Sequence, residues 1–223
     1  MLRGATILFD LDGTMIDTAP DLIRAANYTL QADGMEAVET RIIQPAVGLG
    51  ARAMISAAMR SLGREPSDAD LTRMTETFTA HYAENILVDS REYPGLSEAL
   101  QALAAEGALL AVCTNKREAL ARKLLAALGL DAYFHAIAGR DTFPKHKPDP
   151  AHVLETIRIA GGKASRAVMI GDSSADSRAA QGAGVPFIAV SFGYGESPVE
   201  VLEPDAIIHQ FSELVPVVLR LLS

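Results

Sequence analysis

The chain has 223 residues, 49% hydrophobic and 22% charged, which suits one large domain, or one domain carrying a modest insertion, and excludes disordered, collagen-like and disulfide-scaffold classes. Twenty Lys and Arg against 28 Asp and Glu leave a formal charge of -8, so the whole-molecule field repels nucleic acid and anionic lipid. The longest basic stretch, Lys145-His146-Lys147, is too short to bind phosphate backbones, and neither a nucleic-acid nor a membrane partner is expected.

The first predicted strand is the apolar run Ala5 to Phe9, which Asp10 and Asp12 halt. The run is far shorter than a secretory segment or the roughly 20 residues of a membrane span, so a cytoplasmic protein is expected. From about Thr18 to Asp89 the pattern is helical with no comparable strand; Ala51, Met54, Ile55, Ala58, Met59 and Leu62 form one apolar stripe, with Arg52, Ser56 and Arg60 opposite. Strand-length apolar runs resume at Leu109 to Cys113, Ala136 to Ala138, Ala167 to Ile170, Phe187 to Val190 and Ala206 to Ile208. Helical stretches separate most of them, such as Leu120, Leu124, Leu125 and Leu128 before a capping Gly129. This alternation predicts an α/β fold whose parallel sheet is covered on both faces by helices, with residues 1–15 and 92–223 as core and 16–91 as an all-helical insertion. The single cysteine, Cys113, lies within a strand and is expected to be a small buried hydrophobe rather than a nucleophile, and no His or Cys pair has zinc spacing.

In open α/β sheets ligands sit beyond the carboxyl ends of the strands. There the sequence places Asp10-Leu11-Asp12-Gly13-Thr14, Thr114-Asn115-Lys116, Lys147-Pro148 and Gly171-Asp172-Ser173-Ser174-Ala175-Asp176. If the strands before Asp10 and Asp172 are neighbours, four carboxylates converge, each close pair repelling by ~4 kcal/mol at an effective dielectric of about 20. One such Asp is usually a loop or helix cap, but four of them with a lysine call for a cation. Oxygen donors without soft ligands favour Mg2+ over zinc. Beside such an ion Asp10 can attack phosphorus and form an aspartyl phosphate, while Asp12 protonates the leaving alkoxide and later deprotonates water. Gly13, Thr14, Thr114, Asn115 and Lys147 supply donors for phosphoryl oxygens.

These motifs, with D-x-D-G-T at Asp10 to Thr14, then Thr114, Lys147 and G-D-x-x-x-D at Gly171 to Asp176, resemble the haloacid dehalogenase superfamily over essentially the whole chain. The resemblance implies a Rossmann-like core with a type 1 helical cap. It also implies a magnesium site from the Asp10 carboxylate, the Asp12 backbone carbonyl and Asp172, with Asp176 in support and Lys147 neutralising nucleophile and phosphoryl group. Members that act as dehalogenases lack an aspartate at the place of Asp12, so phosphate chemistry is implied. Finer features, among them Val47-Gly48-Leu49-Gly50, Thr114-Asn115-Lys116, Lys147-Pro148-Asp149-Pro150 and Gly193-Tyr194-Gly195, look like the bacterial phosphoglycolate phosphatase branch, which hydrolyses 2-phosphoglycolate. Arg140 departs from that branch, which commonly has a second glycine after Gly139.

Phosphoryl contacts are common to every substrate, so leaving-group specificity is expected in the insertion. Gly48 and Gly50 precede a helix whose free N–H groups, with Arg52, can bind a carboxylate; the alternative is a plain turn with Arg52 on a solvated face. A small phosphate-bearing substrate is the expected partner, to a monomer or homodimer. Other small phosphates, such as sugar phosphates, nucleotides or pyrophosphate, stay open as substrates, and a non-catalytic binding protein on the same fold is the rival of another class.

Overall fold

The computed structural model describes residues 1–195 and 197–223. Its main sheet consists of β1 (Thr6–Phe9), β4 (Leu109–Cys113), β5 (Ala136–Ala138), β6 (Ala167–Gly171), β7 (Phe187–Val190) and β8 (Ala206–Ile208), in the order β5-β4-β1-β6-β7-β8. All neighbouring pairs are parallel. Successive β1 side chains serve opposite faces: Ile7 and Phe9 join one apolar cluster with Val168 and Ile170, and Leu8 joins another with Met169 and Phe187. A strand covered on both faces favours an apolar side chain at every position, which is why these elements, apart from the buried Thr6 that opens β1 and the Gly171 that closes β6, are apolar runs.

Helices α5 (Leu96–Ala105), α6 (Glu118–Ala127), α7 (Pro150–Ile159), α8 (Ser174–Ala183) and α9 (Leu214–Leu221) accompany the strands. α6 ends where predicted, with Gly129 at φ +72°, in the left-handed region that stops a helix. Cys113 is fully buried, and burial pushes its thiol up to about 12.

Between β1 and β4, a two-residue ribbon pairs β2 (Ile16–Asp17) antiparallel with β3 (Arg91–Glu92). Two residues carry no detectable periodicity, so the segment expected to be all-helical in fact opens and closes on a short ribbon. Between its strands run α1 (Ala19–Ala32), α2 (Thr40–Ile43), α3 (Ala51–Ser61) and α4 (Asp68–Glu84). On α3 the apolar stripe is buried at Met54, Ile55, Ala58 and Met59, while Arg52 and Arg60 are exposed. α4 starts with a capping box in which Ser67 and Asp70 satisfy each other's backbone N–H. Asp21 ties α1 to the returning chain: its carboxylate accepts from the N–H groups of Val88, Asp89 and Ser90 and from Ser90 Oγ. Among the described residues no helix is long and apolar enough to cross a membrane.

Candidate active site

β1 and β6 are neighbours with Phe9 opposite Ile170, so Asp10 and Asp172 leave the sheet side by side. Carboxylate oxygens of Asp10, Asp172 and Asp176 all lie within 4.8 Å of one another. Asp176 is the third residue of α8, and its Oδ2 accepts from Ser173 N–H at 3.1 Å and Ser173 Oγ at 2.6 Å. Its Oδ1 takes the Lys147 ammonium at 2.5 Å, and the same ammonium lies 3.0 Å from Asp10 Oδ1. Lys147 is 2% exposed. Burial by itself lowers its pKa, but Asp10 and Asp176 outweigh that effect and hold the group charged.

The acids respond oppositely. Burial lifts Asp10 to about 6; Lys147 pulls it down, while Asp176 and Asp12 push it further up. Burial, then Asp176 and Asp10, raise Asp172 well above the ordinary carboxylate range against the pull of Thr14 and Tyr194. Thr14 Oγ1 donates to Asp172 Oδ1 at 3.0 Å, and Tyr194 N–H donates to Oδ2 at 3.1 Å. The Gly193 turn lies so close that a Cβ there would stand 2.4 Å from Asp172 Cβ, which only glycine avoids.

Asp12 faces the insertion. Thr18 Oγ1 donates to its Oδ1 at 2.7 Å, and Lys116 Nζ reaches its two oxygens at 2.9 and 3.1 Å. Lys116 is buried and stands 4.4 Å above the ring of Tyr82 on α4. Thr18 also contacts the Tyr194 hydroxyl at 2.8 Å, so Asp172, Tyr194, Thr18, Asp12 and Lys116 form one connected network. Thr114 is buried, accepts the Lys116 N–H at 3.2 Å and keeps its own hydroxyl proton for a ligand. Asn115 Nδ2 donates to the Lys147 carbonyl at 3.0 Å, which fastens the two loops together.

Asp10, Asp12, Thr114 and Asn115 open into a cavity of about 750 Å³ roofed by Gly48, Gly50, Arg52 and the inner face of α4. That volume lies within the range of small-molecule sites. Gly13 and Thr14 follow β1 on the Asp172 side. Arg52 lines the cavity, but its Nη2 is engaged by Asp68 at 2.6 Å and it is half-exposed. Lys116, Thr18, Tyr82 and Tyr194 join the site without a role that the sequence motifs had given them. Lys116 was signalled by its place directly after a strand, whereas Tyr82 falls on the buried stripe of α4 with Met74 and Phe78 and reads as core.

A divalent cation fits this donor set. Four carboxylates face two ammoniums, Lys147 and Lys116, leaving two negative charges when all are ionised. The donors are hard oxygens; Asp176 holds the Lys147 ammonium on Oδ1 and two Ser173 donors on Oδ2, whereas each Asp172 oxygen accepts one neutral hydrogen bond and keeps a lone pair, so Asp10 and Asp172 are the carboxylates left to meet an ion.

Known proteins are similar to this chain in sequence and in fold. The chain is 48% identical to a phosphoglycolate phosphatase of Mesorhizobium japonicum over 208 residues, covering 93% of this chain and 92% of that one. It is 47% identical to a phosphoglycolate phosphatase of Agrobacterium fabrum, covering 94% and 90%. The crystal structure of a predicted phosphoglycolate phosphatase from Haemophilus somnus superposes with a TM-score of 0.89 at 29% identity, covering 97% of this chain and 98% of that one. The family model for haloacid dehalogenase-like hydrolases matches residues 7–190, a span that carries every carboxylate and lysine of the site, and the chain belongs to that family.

Proposed function

We propose that this chain is a Mg2+-dependent phosphatase that hydrolyses 2-phosphoglycolate to glycolate and phosphate. The observation that carries the reading is the convergence of Asp10, Asp12, Asp172 and Lys147 at the ends of adjacent strands beneath a covered cavity. The names of the relatives support the substrate. In this reading residues 1–15 and 92–223 are the catalytic core, and 16–91 are the cap that reads the leaving group. A reducing cytoplasm, where Cys113 stays a thiol, is part of the same reading.

The chemistry runs in two displacements. A carboxylate oxygen of Asp10 attacks phosphorus and the bond to the glycolate oxygen breaks, while Asp12 delivers a proton to that oxygen. Asp12 then takes a proton from water, whose oxygen attacks the aspartyl phosphate and returns the Asp10 carboxylate. Lys147 stands beside Asp10 Oδ1, where its charge favours the ionised nucleophile, and the free proton of the Thr114 hydroxyl is placed for a phosphoryl oxygen. A divalent cation held by Asp10, Asp172 and the Asp12 carbonyl would supply the positive charge that offsets this crowded anionic site. Thr14 and Tyr194 orient Asp172, and Asp176 orients Lys147. Asn115 lines the phosphate end of the cavity, with Gly13 packed against Asp172 beside it, and Gly48, Gly50 and Arg52 roof the leaving group.

The test is phosphate release from a panel of small phosphomonoesters, with Mg2+ and with a chelator. The expected outcome is the highest kcat/KM for 2-phosphoglycolate, dependent on Mg2+ and lowered at least ~10³-fold by Asp10→Asn. A higher kcat/KM for a sugar phosphate or nucleotide would replace the substrate, and full turnover in Asp10→Asn would overturn the mechanism.

A further inference from the structure

Four cationic side chains line the cavity: Arg52, Lys116, Arg117 and Arg140. Two are already neutralised, Lys116 by Asp12 at 2.9 Å and Arg52 by Asp68 at 2.6 Å. The side chains of Arg117 and Arg140 make no ion pair or hydrogen bond among the described residues. Arg140 reaches toward the cap from the core, its Nη1 standing 3.9 Å from where a Cβ on Gly50 would lie, as Lys116 does through the Tyr82 ring.

The backbone beneath Arg140 is held tightly. Its N–H donates to the Lys116 carbonyl at 3.0 Å. Gly139 packs so closely on this loop that a Cβ there would lie 2.2 Å from Glu118 N. Gly139 N–H donates to Thr142 Oγ1 at 2.8 Å, Thr142 Oγ1 to Glu118 Oε2 at 2.5 Å, and Glu118 N–H to Asp141 Oδ1 at 2.8 Å. An exposed, unpaired guanidinium therefore projects from a fixed base at the seam between core and insertion.

We infer that Arg140 is a specificity-determining residue: from the core side of the cavity its guanidinium binds the second anionic group of the substrate. Under the reading above, on which this inference rests, that group is the carboxylate of 2-phosphoglycolate, and the contact is this chain's own, since the branch it resembles commonly has glycine at this position. A planar guanidinium offers paired donors that match a carboxylate, and an unpaired one needs no existing ion pair to be broken first. Arg52 would have to leave Asp68, and Lys116 would have to leave Asp12. The contact with the Gly50 loop also lets one side chain meet substrate and cap together.

The experiment compares kcat/KM for 2-phosphoglycolate and for 2-hydroxyethyl phosphate, which carries a hydroxymethyl group in place of the carboxylate. The wild type is expected to prefer 2-phosphoglycolate. Arg140→Gln should reduce that preference about tenfold or more, chiefly through the KM for 2-phosphoglycolate, and Arg140→Lys should recover part of it. Arg117→Gln, made for comparison, should leave the preference in place. A wild type with no preference overturns the phosphoglycolate reading and this inference together. A strong wild-type preference that survives in Arg140→Gln overturns the Arg140 assignment alone. An equal loss in Arg117→Gln and Arg140→Gln also overturns it, because a diffuse positive field would then explain both.

Discussion

The Lys116 ammonium donates to both carboxylate oxygens of Asp12, at 2.9 and 3.1 Å, while resting on the Tyr82 ring of α4. The proposed acid–base group of the core is thus held by a side chain whose other face belongs to the insertion. Lys116→Met keeps the apolar stem and removes the charge. Losing a charge-assisted bond of about 1.5–3 kcal/mol is expected to lower kcat by about 10–100-fold. Steady-state kinetics beside a circular dichroism check on folding measure it; an unchanged kcat would mean that Lys116 only fills space.

The acid cluster links metal and proton. With no cation bound, Asp10 titrates near 6 and Asp172 above the ordinary range, so between about pH 4 and 6 the folded chain holds protons that the unfolded chain has released. The folded state binding more protons, this contribution favours folding fully below the unfolded value and is lost as pH rises through about 6. In the proposed reading Mg2+ would compete with those protons. Its stabilising effect, about 2.7 kcal/mol at a hundredfold excess over Kd, is expected to be greater at pH 7 than at pH 5 and to vanish in Asp172→Asn. Denaturant midpoints with Mg2+ and with chelator test this; an equal gain at both pH values would refute it.

Asp21 anchors the returning chain of the insertion. Burial alone would raise its pKa, but the N–H groups of Val88 and Asp89 and both donors of Ser90 hold it below the usual value. A depressed acid stabilises the fold above the unfolded value, and that contribution is lost as pH falls through the folded value. Asp21→Asn replaces an acceptor oxygen by a donor facing backbone N–H groups, and a loss of about 2–3 kcal/mol is expected in urea unfolding. A loss under about 0.5 kcal/mol would show that solvent serves this anchor equally well.

Cys113 gives a simple check on the core. With burial pushing the thiol up to about 12, a thiol-specific reagent at pH 8 should not label the native protein and should label it once when denatured. Rapid native labelling would mean that the β4 end of the sheet opens readily.

The sheet was legible because buried parallel strands must be largely apolar, so a polar or charged residue, or a glycine, marks where each one ends. Asp10 after Phe9 and Asp172 after Gly171 follow that rule, and their strands pair as their convergence requires. The phosphate-type motif was readable for the same reason: its residues are local to strand ends. The β2–β3 ribbon was not, since two residues form no pattern.

What the residues determine alone is therefore the alternation of elements and the set of acids and lysines at the strand tips, because hydrophobic period and chain reversal are local properties. Which acid meets which lysine depended on tertiary structure: Lys147 spans Asp10 and Asp176, Lys116 takes Asp12, and Arg140, near Gly50, has no ion-pair partner among the described residues. Those partners come from loops far apart in the chain. Only packing of the sheet ends against the helical insertion sets the distances of a few ångströms on which charge pairing, and so the division of labour, depends.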